Sequence, residues 1–190
     1  NVLSIFNDDV IIEANRRKNK KLEDCRLYVA GGCQEICLSN EVNSRAYTYL
    51  NLVQMLNGSL FPEKWNPVFA ADDFSFAPAW EADSFEEFYR IVMENYCSEL
   101  HMFMRKYREF GTWWKTINPC LFFSATMPSC IEKAMDVSEG GAEYNTDNFA
   151  AAGAGTVIDS LYAIKTAVFD KKIVSMEKLK DCLLYTSDAA

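Results

Sequence analysis

Residues 84–108 commit this chain to one long helix, and a helix of that kind dictates what must surround it. Ser84-Phe85-Glu86-Glu87 reads as a capping box, the serine hydroxyl accepting from the Glu87 N–H while the glutamate reaches back. Behind it Phe85, Phe88, Tyr89, Val92, Tyr96, Leu100, Phe103 and Tyr107 recur at helical spacing. A stripe this wide is unstable in water and must be covered by other elements. Aromatic residues at that spacing read as core rather than as a cofactor site. His101 lies beside the stripe and reads as a satisfied or exposed histidine.

The rest of the chain alternates between strand and helix signals. A short N-terminal helix with Val10-Ile11-Ile12 leads through a charged connection to a strand at about 26–30. Ala46, Tyr49, Leu50, Val53 and Leu56 predict a helix over 43–56, stopped by Asn57-Gly58. Residues 58–83, with three prolines and two tryptophans, are too long for a bland loop and are expected to pack over something. Residues 119–124 read as a buried strand, and Ser129-Cys130-Ile131-Glu132 as a second capping-box start. Gly140-Gly141 marks a turn, and the small residues of 145–154 a strand that something approaches closely. A helix with Asp159 near its start runs to about Phe169, with Val157, Ile158, Leu161, Ile164 and Val168 inward. Ser175 caps the last helix. The alternation favours an α/β architecture.

Composition narrows the function classes. With 49% hydrophobic and 24% charged residues, the 190-residue chain reads as globular. A formal charge of -8 argues against a nucleic-acid surface, and the basic cluster from Arg16 to Lys21 reads as a solvated loop or helix end. No run is apolar enough to span a bilayer and no signal pattern opens the chain, so a cytoplasmic, non-membrane protein is expected. Seven cysteines, an odd number, with no C-x-x-C pair and a single histidine, argue against a disulfide framework and a zinc site. No bound metal or cofactor is expected in this chain. Residue 1 is Asn, and residues 184–190 break the pattern of the helix before them. The expectation is an internal segment of a larger protein, 1–183, with a non-native tail at 184–190.

Chemistry concentrates after Leu27-Tyr28-Val29-Ala30, in Gly31-Gly32-Cys33-Gln34-Glu35-Ile36. The two glycines free the backbone to turn sharply before a thiol. A free cysteine is ordinarily a small buried hydrophobe. Cys33 differs in sitting at a glycine-bracketed turn, with Glu35 close enough for both side chains to face one pocket. Phe6-Asn7-Asp8-Asp9-Val10 and the 22–28 lead-in precede this turn. Ser124 with Cys130, Gly140-Gly141-Ala142-Glu143-Tyr144-Asn145 and Asp159-Ser160-Leu161-Tyr162-Ala163-Ile164-Lys165 follow it. In that order the segments resemble the glycyl radical enzymes, the family of pyruvate formate-lyase and its dehydratase, lyase and decarboxylase relatives. The resemblance covers most of residues 1–183.

The resemblance implies part of a ten-stranded β/α barrel built from two half-barrels, helices outside, with the cysteine loop in its middle. It implies a protein glycyl radical, on a glycine outside this chain, installed by a radical-SAM activating enzyme. Cys33 is then the thiyl residue that takes hydrogen from a small-molecule substrate, and Glu35 the general base that removes a neighbouring hydroxyl proton. Such chemistry suits a neutral thiol in a closed, dry site. Pyruvate formate-lyase proper carries adjacent cysteines here. Cys33 followed by Gln34 and Glu35 is similar to the eliminating and decarboxylating branch instead. The Arg-Val-x-Gly motif of the radical glycine is absent, and Gly111, Gly153 and Gly155 are not in that context, so the segment alone is expected to be inactive. A homodimer is common among such relatives. Cys37 receives no role. Two other readings compete: a non-catalytic interaction module using the aromatic stretch 60–113, with Trp65, Trp80, Trp113 and Trp114 as anchors, and a cysteine hydrolase pairing Cys33 with His101.

Overall fold

The computed structural model describes residues 5–31, 35–42, 47–64, 74–146 and 148–187. In chain order the first elements are α1 (Asp8–Arg16), α2 (Leu22–Cys25), β1 (Val29–Gly31), β2 (Glu35–Cys37), β3 (Glu41–Val42) and β4 (Tyr47–Asn51). Then come α3 (Leu52–Leu60), α4 (Phe85–Ile117), α5 (Leu121–Ser124) and α6 (Pro128–Lys133). The last are β5 (Tyr144–Asn145), β6 (Asn148–Ala152), α7 (Ala154–Ile164) and α8 (Met176–Ser187). Strands pair as β1–β2, β3–β5 and β4–β6, so the described architecture is α/β with small sheets. The chain divides into two compact units, Asn1–Thr48 with Phe110–Asn148, and Tyr49–Glu109 with Phe149–Ala190. No helix among the described residues is long and apolar enough to cross a membrane.

The first unit is organised by polar ties between short elements. Asn7 caps α1, its side chain accepting from Val10 N at 3.2 Å, and Asp8 and Asp9 suit the positive end of the helix dipole. β1 starts at Val29 rather than near residue 26, because 22–25 close the α2 turn first. β3 and β5 run parallel, with Glu41 opposite Tyr144 and Val42 opposite Asn145. Val42, Met127, Cys130, Val137 and Ala142 form the core of this unit.

Residues 119–124 are not a buried strand. They lead into α5, and Leu121 and Phe122 stand 73% and 90% exposed. The reason is Ser124, whose hydroxyl donates to Asp136 Oδ2 at 2.7 Å and accepts from Val137 N at 2.9 Å. Burying that serine turns the apolar side chains of the same turn outward. The capping box expected at Ser129 does not form either: Met127 is the N-cap, without a side-chain cap, and Pro128 opens α6. The Gly140-Gly141 turn is as expected. Gly140 takes φ +92°, and a Cβ on Gly141 would strike the carbonyl oxygen of Met135.

In the second unit Leu56, Leu60, Phe61, Ala79, Phe88, Val92, Val157 and Ile164 make the core. The helix expected over 43–56 starts later, at Leu52, and residues 47–51 are strand. Asn51 decides this boundary, its Oδ1 accepting from Val53 N and Gln54 N at 3.2 Å each. Gly58 does not stop α3; it lets the Phe76 ring approach where a Cβ would clash. The aromatic-rich loop packs inward where it is described, with Phe76 and Ala79 buried. Asn95 holds it, accepting from Ala77 N at 2.9 Å and donating to Ala77 O at 2.8 Å. The capping box of α4 is present, with Glu87 N on Ser84 Oγ at 3.2 Å. Glu87 reaches back to Asp83 N, at 3.4 Å. The helix continues past Arg108 to Ile117. Val157 and Ile164 face inward on α7, whereas Ile158 is 64% exposed. A π-helical turn, Lys165–Asp170, ends α7. Ser175 caps α8, accepting from Lys178 N at 3.2 Å, and α8 continues through Ser187.

The buried face of α4 holds a charge that the aromatic stripe does not reveal. Glu99 is buried, and its Oε2 has no hydrogen-bond partner among the described residues. Burial pushes its pKa from 4.5 up to about 7. The raised value means that the fold favours the protonated acid. The penalty is absent below 4.5, grows as pH rises toward about 7, and is complete above that. Glu99→Met is expected to stabilise the chain by about 1–3 kcal/mol in mildly alkaline buffer, since it removes an unpartnered buried polar group. In urea unfolding at a series of pH values, the gain should shrink as pH falls. A gain independent of pH would count against this account.

Candidate active site

The hairpin of β1 and β2 carries the sequence-predicted chemistry. The strands are antiparallel, with Val29 opposite Cys37, Ala30 opposite Ile36 and Gly31 opposite Glu35. Glu35 is therefore the first residue of the returning strand, half-buried. Cys33, with Gly32 and Gln34, lies outside the described residues. Gly31 is a strand residue without positive φ, so its own backbone does not make the sharp turn. A Cβ on Gly31 would stand 3.4 Å from Cys37 Sγ. Glu35 and Cys37 alternate onto one face of β2, and that face also carries the bare side of Gly31.

Two of the remaining motifs, the 6–10 and 140–145 segments, lie in the same unit as this hairpin. Tyr28, just before β1, donates its hydroxyl to Asp8 Oδ1 at 2.5 Å, which explains the N-terminal Asn-Asp-Asp segment. That hydrogen bond, with burial, raises the Tyr28 pKa. Tyr144 donates to Asp24 Oδ2 at 2.5 Å and accepts from Lys21 N at 3.1 Å, tying α2 to β5. Glu143 lies between Lys21, at 3.1 Å, and Lys133, at 3.7 Å; the Lys21 hydrogen bond and charge hold its carboxyl below the usual range. Asn145 Nδ2 closes the glycine turn on Gly140 O and Ala142 O, at 3.2 and 2.9 Å. The Gly-Gly-Ala-Glu-Tyr-Asn segment is thus a clamp.

Other polar residues escaped the sequence reading. Lys20, read as part of a solvated basic cluster, is buried against Glu41. Asp136 collects Ser124, Ser138 and the Cys120 N–H. No local pattern announces the Lys20–Glu41 pair or the Asp136–Ser124 bond, whose partners lie 21 and 12 residues apart. His101 is exposed on α4 in the second unit. Trp80 is engaged within its own unit, with Lys180 Nζ 3.8 Å from the ring centre. Trp113 is 64% exposed, and Trp65 lies outside the described residues. A cavity of about 240 Å³ between α3, α7 and α8, lined mainly by Val53, Leu56, Leu60, Ile164 and Leu179, contains none of the candidate residues.

A family profile described as pyruvate formate lyase-like matches residues 1–185. The chain belongs to that family. Within the pyruvate formate lyase-like family it is similar to a trans-4-hydroxy-L-proline dehydratase of Clostridioides difficile, 31% identical over 95% of this chain and 23% of the relative. It is also similar to a (2S)-3-sulfopropanediol dehydratase of Klebsiella oxytoca, 31% identical over 88% of this chain and 20% of the relative. Among solved structures it superposes on one of 1,2-propanediol dehydration in Roseburia inulinivorans with TM-score 0.79 and 25% identity, covering 94% of this chain and 21% of that one. The chain thus spans less than a quarter of the length of the relatives it matches. The motifs that resemble glycyl radical enzymes fall inside the matched region, and the family gives the interaction-module reading no support.

Proposed function

We propose that this chain is the cysteine-loop segment of a glycyl radical dehydratase or lyase that acts on a small hydroxylated substrate. The observation that carries the reading is the sequence Gly-Gly-Cys-Gln-Glu, whose first and last residues, Gly31 and Glu35, face each other across antiparallel strands, in a chain similar along most of its length to dehydratases of this family. Residues 1–183 would form part of a barrel of two half-barrels, with the hairpin inside. The exposed apolar residues of the hairpin support this placement: Leu27 and Val29 stand open in this chain and are suited to being covered by further polypeptide.

The radical glycine lies outside this chain and is installed by a radical-SAM activating enzyme; it supplies the unpaired electron. Cys33 surrenders its thiol hydrogen and, as a thiyl, takes one hydrogen from a substrate carbon, breaking C–H and forming S–H. S–H and activated C–H bonds are of comparable strength, so the exchange runs near balance. Glu35 accepts the proton of the hydroxyl on the radical carbon, which weakens the bond to the neighbouring leaving group. The leaving hydroxyl departs as water after taking up a proton, which protonated Glu35 returns, so the carboxylate is restored. Return of the Cys33 hydrogen to the product radical restores the thiyl. The relatives' names mention a hydroxyproline and diols, and a carboxylate two residues from the thiol suits substrates of that hydroxylated class.

Glu35→Gln in the full-length protein tests the assignment. Turnover should fall by about 10²–10⁴-fold, the usual worth of a positioned general base. The glycyl radical signal should persist in electron paramagnetic resonance. Unchanged turnover would remove Glu35 from the mechanism.

A further inference from the structure

We propose that the buried Lys20–Glu41 pair, with Asn15 and Thr146, is a positioning device for the Gly-Cys-x-Glu hairpin. The proposal rests on reading that hairpin as the cysteine loop. Leu38 directly follows β2, and its N–H donates to Glu41 Oε2 at 3.0 Å. In return Glu41 N donates to Leu38 O at 3.3 Å, so the turn after β2 is closed from both sides. Asn40 within it takes φ +57°, a left-handed conformation that asparagine tolerates better than most residues.

The other carboxylate oxygen, Glu41 Oε1, accepts from Lys20 Nζ at 2.5 Å and from Thr146 Oγ1 at 2.8 Å. Lys20 Nζ also donates to Asn15 Oδ1 at 2.9 Å, and Asn15 is held on Ile11 O at 3.0 Å. The Lys20 and Glu41 side chains are 6% and 1% exposed. One carboxylate therefore ties together the segment leading into α2, the turn after β2 and the residue after β5.

A buried ion pair is a poor device for stability alone, because apolar residues of similar shape often do as well or better. Apolar replacement here would leave the Leu38 N–H and the Thr146 hydroxyl without their acceptor. What the pair gives is direction. The exit of the hairpin is fixed three residues after Glu35, and its entrance is fixed by Tyr28 on Asp8. Misplacing a reacting group by about 1 Å can cost about 10²-fold in rate. The pair therefore acts through Glu35 and Cys33 and does not itself touch substrate.

The test uses the full-length protein, with kcat expressed per glycyl radical counted by electron paramagnetic resonance. Lys20→Met and Thr146→Val should each lower kcat per radical by about 10-fold or more, with KM nearly unchanged. Thr146→Ser, which keeps the hydroxyl, should restore it. Asp136→Asn loosens the same unit through residues 120, 124 and 138, and should lower Tm while leaving kcat per radical at the wild-type value. Should Lys20→Met not fold, Thr146→Val decides. Wild-type kcat per radical in Thr146→Val overturns the proposal, as does an equal loss in Asp136→Asn. Turnover that survives Cys33→Ser overturns the cysteine-loop reading itself, a separate outcome from either.

Discussion

Cys33→Ser in the full-length protein is expected to abolish turnover and to leave the glycyl radical signal in place. The two side chains are nearly the same size, so the hairpin keeps its shape. The hydrogen chemistry does not survive the exchange. An alcohol O–H bond is far stronger than S–H, and serine cannot hand its hydrogen to a carbon-centred radical at a useful rate. Each 1.36 kcal/mol added to the barrier slows the step about tenfold, so a bond-strength gap of many kcal/mol takes turnover below detection. The paired measurement is a product assay and a spin count on the same preparation. A full radical count with no product assigns hydrogen transfer to Cys33. Product formation at even a hundredth of the wild-type rate would exclude Cys33 as the abstracting residue.

The Gly31–Ile36 motif stood out in the sequence because its residues are adjacent, but the return of Glu35–Cys37 as a second strand did not. Two glycines, a thiol and a carboxylate within six residues need no distant partner to be noticed. The Ser84 capping box and the long helix were legible for the same reason, since caps and periodicity act over a few residues. Misreadings arose where a side chain answered to something remote. Residues 119–124 look like a buried strand until Asp136, twelve residues after Ser124, pulls that serine inward. Lys20 looks like one more surface cation until Glu41 appears beside it. The misplaced start of α3 is a local exception: Tyr49 and Leu50 fit a helical period, yet Asn51 caps the helix after them and leaves them in a strand. The Gly-Gly-Ala-Glu-Tyr-Asn segment was visible as a motif, but its role as a clamp on α2 depends on Asp24, 120 residues earlier in the chain. Periodicity carries no information about a partner at that distance.

Removing the Asp136 carboxylate should produce a large loss of stability. Burial pushes this carboxyl up, but hydrogen bonds from the Ser138 and Ser124 hydroxyls and from the Ser138 and Cys120 N–H groups outweigh it and hold the pKa down from 3.8 to about 2. Asp136 Oδ1 takes Ser138 N at 2.8 Å, Ser138 Oγ at 2.5 Å and Cys120 N at 3.2 Å, while Oδ2 takes Ser124 Oγ at 2.7 Å. Asp136→Ala leaves these donors facing a small apolar group. Hydrogen bonds to charged groups contribute about 1.5–3 kcal/mol each and are not additive, so a total loss of about 3 kcal/mol or more is expected. Asp136→Asn keeps one acceptor oxygen and should lose less. The lowered pKa fixes the pH dependence. Ionised Asp136 stabilises the fold fully above the unfolded value of 3.8, and that contribution disappears as pH falls through about 2. Unfolding curves of the wild type and the alanine variant should therefore stand furthest apart near neutral pH and converge in strong acid. A gap of constant size across that range would mean that packing around residue 136, rather than its charge and its donors, holds α5 in place.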